Sequence, residues 1–213
     1  PPATVHAFEP VSAQAALLRE NVGLNRLHNV VINQAAVSDR AGAQRIYVAA
    51  GSNTGQSSLA RVSPHSEQVD TVTVDEYCAS QRLTRIDLVK IDVEGHELQV
   101  LKGMAGMLRD GRIARVCTEA DADLLAANQA SAAQMLAFMA QHEYQGSAIR
   151  SGHRVPVGPR CRELVRPAPR LHHDLPVLHL VRRGAGHARA ARREEQREVV
   201  RVLAGERGAR VEE

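Results

Sequence analysis

Residues 86–95, IDLVKIDVEG, restrict the fold more than any other stretch of this chain. Ile86 to Val93 is a short apolar run bounded by turn signals, the mark of a buried strand, and Glu94-Gly95 closes it. Gly95 lets the backbone turn tightly into the next segment. There Leu98, Leu101, Ala105 and Leu108 recur at helical spacing, and Asp110-Gly111 stops that helix.

The same alternation of strand and helix runs upstream. Thr4 to Phe8 is a short strand ended by Glu9-Pro10, because proline cannot continue a central strand. Ser12 to Asn25 carries Ala15, Leu18 and Val22 on one helical face, with Ser12 as N-cap and Gly23 near the end. Val30 to Val37 is a β-branched strand closed by Ser38-Asp39, so the segment is a βαβ unit. Ile46 to Ala49 reads as a further short strand after a turn at Asp39 to Gly42. Gly51 to Ser58 is a polar loop whose backbone needs partners. Val69 to Val74 alternates as a half-buried strand, and Asp75 caps a helix running through Leu83.

Downstream, Arg115 to Glu119 is another strand. Ser131 to His142 is a helix whose Met135, Leu136 and Met139 form a core stripe, followed by a turn around Gly146. Beyond Gly152, Pro156, Pro159, Pro167 and Pro169 interrupt every helical pattern, and Leu175 to Val181 is the one plausible strand. From Gly184 the chain is Arg, Ala, Glu and Gly. That tail fits an exposed helix from Ala188 to Leu203, disorder, or a GC-rich gene read out of frame near its end. The expected division is a domain over 1–182 and a charged tail over 183–213.

A chain of 213 residues accommodates one α/β domain of ordinary size. Hydrophobic residues make up 44% but aromatics only 2%, with no Trp, so the core is aliphatic, which suits buried parallel strands. No run approaches the ~20 apolar residues that cross a bilayer, and PPATVHAFEP lacks the regions of a signal peptide. A soluble protein with no membrane partner is expected. Cys78, Cys117 and Cys161 are far apart and without metal-ligand spacing, which suits a reducing cytoplasm. The net charge of +3 comes mostly from residues beyond Arg150, and no basic face with stacking aromatics accompanies it, so no nucleic-acid partner is expected. Lys90 and Lys102 are the only lysines, a pattern of GC-rich coding.

Two acidic positions sit where α/β folds keep their chemistry. Ligands of such folds lie outside the carboxyl ends of the strands, where an acidic side chain can hold both ribose hydroxyls. Glu9 ends one strand and Asp92 another. If the second strand ran on, Asp92 and Glu94 would project to one side. The plainer reading makes all of them solvated turn or capping acids.

The stretches VHAFEP, LLRENVGLN, NVVINQAAVSDRAG, SNTGQSSL, VDTVTVDEY and IDLVKIDVEGHELQVLKG, in that order, together resemble the FkbM family of methyltransferases over roughly residues 4 to 145. The resemblance implies a Rossmann-like α/β fold of class I, S-adenosyl-L-methionine as cofactor, and O-methylation of a hydroxyl on a small-molecule or saccharide acceptor. It implies Glu9 at the cofactor ribose, Ser38 and Asp39 near the adenine, and Asp92 beside the reactive methyl. Asn53, Thr54 and Ser58 would border the substrate. Glu94 is the expected general base, with His96 as competitor because an ordinary imidazole pKa of ~6.5 suits proton transfer. Glu97 would favour the helix N-terminus.

One departure from the family stands out. Its first strand and glycine-rich loop precede the ribose-binding acid by some twenty residues, whereas here the acid is Glu9. The sequence therefore predicts a class I methyltransferase sheet lacking its first strand and glycine-rich loop, incomplete at the N-terminus, with no later segment as substitute and an irregular Arg-rich C-terminal tail. Two rival readings remain: an NAD-binding oxidoreductase, which shares the ribose acid, and a non-catalytic remnant or interaction module. His172, His173 and Asp174 are not expected to bind metal, since adjacent histidines do not easily face one ion. Ser57-Ser58 lacks a nucleophile elbow.

Overall fold

The computed structural model describes residues 3–48, 65–150, 153–157, 177–182 and 198–203. Strand β1 (Thr4–Phe8) leads into helix α1 (Ser12–Leu24) and then β2 (Val30–Asn33), which pairs with β1 in parallel, Val5 opposite Val30. This is the expected βαβ unit, with one correction at the helix start. Val11, not Ser12, is the N-cap residue, and it makes no side-chain cap bond. Carboxylates from outside the helix serve its first donors instead: Glu9 Oε1 accepts from Val11 N at 2.8 Å and Glu67 Oε1 from Ser12 N at 2.7 Å.

The strand expected over Val30 to Val37 is two strands, because the chain changes sheets after Asn33. Strand β3 (Ala36–Val37) joins β4 (Gly42–Val48) and β5 (His65–Val72) in a small sheet of order β3-β5-β4. Val11, Ala36, Ile46 and Val69 close its core beneath the start of α1.

Helix α2 (Val74–Ser80) is capped by Thr73, whose hydroxyl accepts from Glu76 N at 3.0 Å. Asp75, expected to cap it, reaches further. Strand β6 (Leu88–Asp92) is followed by α3 (Glu97–Lys102) and α4 (Ala105–Arg109), where the sequence predicted one helix. The break falls at Gly103-Met104. Asp75 accepts from Gly106 N at 2.7 Å and Met107 N at 2.9 Å, and so holds the new helix start in place.

Strand β7 (Arg115–Glu119) forms as expected. Helix α5 (Ala122–Ala127), capped by Asp121, was not predicted, being one short turn-and-a-half without a repeating stripe. Helix α6 (Ala132–Gln141), capped by Ser131, buries Met135, Leu136 and Met139. Strand β8 (Tyr144–Arg150) runs straight through Gly146, so the turn lies earlier, at His142 and Glu143, the latter with φ of 67°. Strands β9 (His153–Val157), β10 (Val177–Arg182) and β11 (Glu198–Leu203) complete the described elements.

Eight strands form the main sheet in the order β2-β1-β11-β6-β7-β10-β8-β9. The first five are parallel and the rest antiparallel, which makes a mixed α/β domain with a mostly parallel centre. Val89, Ile91, Val116, Leu178, Leu180 and Val200 lie in its buried core. Each such side chain contributes about 1.5–3 kcal/mol by leaving water.

Strand β11 overturns two expectations. The sequence places its residues in an exposed or disordered tail, or in a helix reaching Leu203, yet they form a strand. That strand lies parallel between β1 and β6, Val200 opposite both His6 and Val89. In a doubly wound sheet of order 3-2-1-4-5, β11 takes the place of strand 1. The prediction that no later segment would substitute for a first strand is therefore corrected. Periodicity could not reveal it, because Val199, Val200 and Val202 are separated from their β1 partners by almost the whole chain.

Candidate active site

The parallel strands deliver a row of carboxylates to one edge of the sheet. Leu203 of β11 is opposite Asp92 of β6, and Ile91 is opposite Thr118 of β7, so Glu119 falls level with Asp92. On the other side Phe8 is opposite Val202, which puts Glu9 level with Leu203. Glu9, Asp92 and Glu119 thus stand on one register line at the carboxyl ends of three strands. This edge lies where strand order reverses, the position at which α/β folds bind ligands.

Glu9 is buried, with its backbone N–H bonded to Asn33 O at 3.0 Å and its carboxylate on Val11 N. Asp92 is half-buried and accepts from Lys90 Nζ at 2.7 Å. Lys90 and Asp92 are two apart in a strand and therefore share a face; that spacing was a readable signal of the pair. Cys117 stands near both, and burial pushes its thiol up, toward the protonated form.

The turn after β6 differs from the sequence expectation. The strand ends at Asp92, and Glu94 has φ of 51° and Gly95 φ of 98°, so alternation does not carry Glu94 to the Asp92 side. A side chain at Gly95 would begin 2.5 Å from Leu124 O, which fixes glycine there. His96 is the N-cap residue of α3.

Glu97, expected merely to favour a helix N-terminus, is 3% exposed and builds the turn itself. Its Oε1 accepts from Gly95 N at 3.1 Å and Val93 N at 3.4 Å, while Oε2 has no partner among the described residues. Burial raises its carboxyl above the ordinary range, opposed by the backbone hydrogen bonds. A buried acid curled back on its own turn leaves no trace in helical periodicity.

Ser38 and Asp39, from the end of β3, come together with His96. Ser38 Oγ lies 3.0 Å from His96 Nε2 and 3.1 Å from Asp39 Oδ1. Burial lowers the His96 pKa from 6.5 to about 4, and the Asp39 charge opposes that only in part. The imidazole is consequently neutral near pH 7, and the premise of an ordinary imidazole pKa does not hold. Asn53, Thr54, Ser58 and the His172 to Asp174 cluster lie outside the described residues. Among the described residues, no group of three or more His, Cys, Asp or Glu could hold a metal, and no helix is long and apolar enough to cross a membrane.

The family model described as Methyltransferase FkbM domain matches residues 3–145, a span that contains Glu9, Ser38, Asp39, Asp92, the turn to Glu97 and Glu119. The chain belongs to the FkbM methyltransferase domain family. Over 134 residues this FkbM domain is 33% identical to the 31-O-demethyl-FK506 methyltransferase FkbM of Streptomyces tacrolimicus, covering 49% of this chain and 51% of that protein. Over 44 residues it is 46% identical to the hexuronic acid methyltransferase AglP of Haloferax volcanii, covering 21% of this chain and 18% of the relative. The FkbM domain chain thus spans about half, or less, of the curated relatives it matches. No solved structure matches it.

Proposed function

We propose that the domain is an S-adenosyl-L-methionine-dependent O-methyltransferase acting on a hydroxyl of a small-molecule or saccharide acceptor. The observation that carries this reading is the register line of Glu9, Asp92 and Glu119 at the switch point of a sheet in the FkbM family. The names of the two relatives, one acting on a demethylated FK506 and one on hexuronic acid, support an oxygen-rich acceptor.

The donor set suits such a cofactor, because carboxylates accept from ribose hydroxyls and favour a cationic sulfonium nearby. When bound, the cofactor supplies an electrophilic methyl group. In this reading Glu9 holds the ribose, and Ser38 and Asp39 stand on the adenine side. Asp92, steadied by Lys90, orients the reacting groups. Asn53, Thr54 and Ser58 border the acceptor. Glu94 takes the proton of the attacking hydroxyl; His96 is the poorer base, being tied to Ser38 and holding protons only weakly.

Calorimetric titration with S-adenosylhomocysteine tests the proposal. The chain should bind, and Glu9→Ala should weaken binding on the order of tenfold or more, as loss of a hydrogen-bonded carboxylate does. A folded chain that shows no binding overturns it.

A further inference from the structure

The contacts of one hydroxyl decide which nitrogen of His96 carries a proton. Ser38 Oγ is within hydrogen-bond distance of both His96 Nε2 and Asp39 Oδ1. A serine hydroxyl has one proton to give, whereas a carboxylate can only accept. Were that proton given to the imidazole, the lone pairs of Ser38 would face the Asp39 carboxylate at 3.1 Å. Given to Asp39, it makes a charge-assisted bond. The oxygen then offers only lone pairs to His96, so Nε2 must be the donor.

We infer that Ser38 fixes His96 as its Nε2–H tautomer, leaving Nδ1 as an acceptor that reads an N–H or O–H donor on a bound ligand. The tautomer follows from the contacts alone; the ligand's identity rests on the methyltransferase reading. Ser38 is a positioning residue here, not a catalytic one.

The surroundings hold this relay rigid. Ser38 is fully buried, its N–H donates to Val72 O at 3.0 Å, and Gly103 packs on its carbonyl. His96 is held at its backbone by Val93 O, 3.2 Å from His96 N. A neutral ring has one proton and hence two different nitrogens, and His96 is neutral near pH 7. Among the described residues nothing bonds to Nδ1. An acceptor nitrogen discriminates by sign: it welcomes an amino or hydroxyl group and repels a phosphate or carboxylate oxygen. The donor is either the amino group of the cofactor's adenine or the hydroxyl of the acceptor.

Long-range proton–nitrogen correlation on the full chain, labelled with nitrogen-15 histidine, tests this at pH 7. His96 should show the neutral Nε2–H pattern. In Asp39→Ala the Ser38 proton is released to the ring, and the pattern should move toward Nδ1–H. Asp39 is exposed, so this variant leaves the packing intact, whereas Ser38→Ala changes a fully buried position. An Nδ1–H or doubly protonated wild-type ring overturns the inference, as does a pattern unchanged in Asp39→Ala. Addition of S-adenosylhomocysteine then separates the sources. A shift at Nδ1 assigns the donor to the cofactor; a shift only on later addition of glucuronate assigns it to the acceptor. An Nδ1 unmoved by both overturns the ligand-reading role. Absence of any S-adenosylhomocysteine binding, with the tautomer as stated, counts against the methyltransferase reading and leaves the relay standing.

Discussion

The Ser38 carbonyl occupies the space into which a side chain at Gly103 would grow: a Cβ there would stand 2.0 Å from the oxygen. Gly103 is the C-cap residue of α3, so the helix that follows the site turn is seated directly on the residue that holds His96. Backbone meets backbone, and no side chain can swing aside. Gly103→Ala should therefore cost about 3 kcal/mol or more, read as a lower midpoint in urea unfolding. A cost below about 1 kcal/mol would mean that α3 can lift away from Ser38 without penalty.

Asp75 joins α2 to α4 through two hydrogen bonds to Gly106 N and Met107 N. Asp75→Ala strands both donors at a partly buried helix start, and should lower stability by about 2–4 kcal/mol. Asp75→Asn keeps one acceptor oxygen and should recover about half of that loss. Equal unfolding midpoints for the alanine variant and the wild type would show the contact to be incidental.

Glu97 makes a sharper pair of variants. Glutamine keeps an acceptor oxygen where Glu97 Oε1 receives Gly95 N and Val93 N. Glu97→Gln should stay within about 1 kcal/mol of wild type, while Glu97→Ala, which leaves Gly95 N and Val93 N without their acceptor, should cost about 2–3 kcal/mol. Chemical denaturation near neutral pH measures both. Equal losses would show that the retained acceptor oxygen does not hold the turn.

His96 gives the fold an acid-sensitive component. Its folded pKa of about 4 lies below the ordinary 6.5, so between those values the unfolded chain binds a proton that the folded chain does not. Its stability contribution is full above about pH 6.5 and declines as pH falls toward 4, by at most about 3 kcal/mol. Glu97 acts in the opposite sense: its pKa is raised, so its contribution is present at low pH and lost as pH rises. Comparing wild type with His96→Gln isolates the histidine. Unfolding midpoints measured from pH 7 to pH 4.5 should fall more steeply for wild type; parallel curves would contradict a depressed imidazole.

Local signals carried much of this fold. Pro10 ended β1, the Val30 run began β2, and Arg115 to Glu119 was a strand with those bounds. Ser131 and the methionine stripe marked α6 because capping and periodicity act within a few residues. In the candidate site, the sequence singled out Glu9 and Asp92 as acids at strand ends, whereas Ser38 and Asp39, which follow β3, came only from the family resemblance. What escaped depends on distant contacts. Nothing beside Asp75 in sequence announces that it caps α4, and nothing around Glu97 shows that it folds back beneath its own turn. The break at Gly103-Met104 exists because Ser38 and Asp75 arrive from elsewhere, while the apolar stripe from Leu98 to Leu108 runs on unbroken.

The position of β11 also bears on how the sheet assembles during synthesis. Among the described strands, β2-β1 and β6-β7-β10-β8-β9 are joined only through it. A ribosome delivers β11 after β1 and every other described strand, so until then the β1 and β6 edges that it covers lack this partner. Such edges invite pairing with other chains, and closing a contact of this sequence span is slow. The nascent domain is thus most prone to aggregate while its two halves wait for the strand between them.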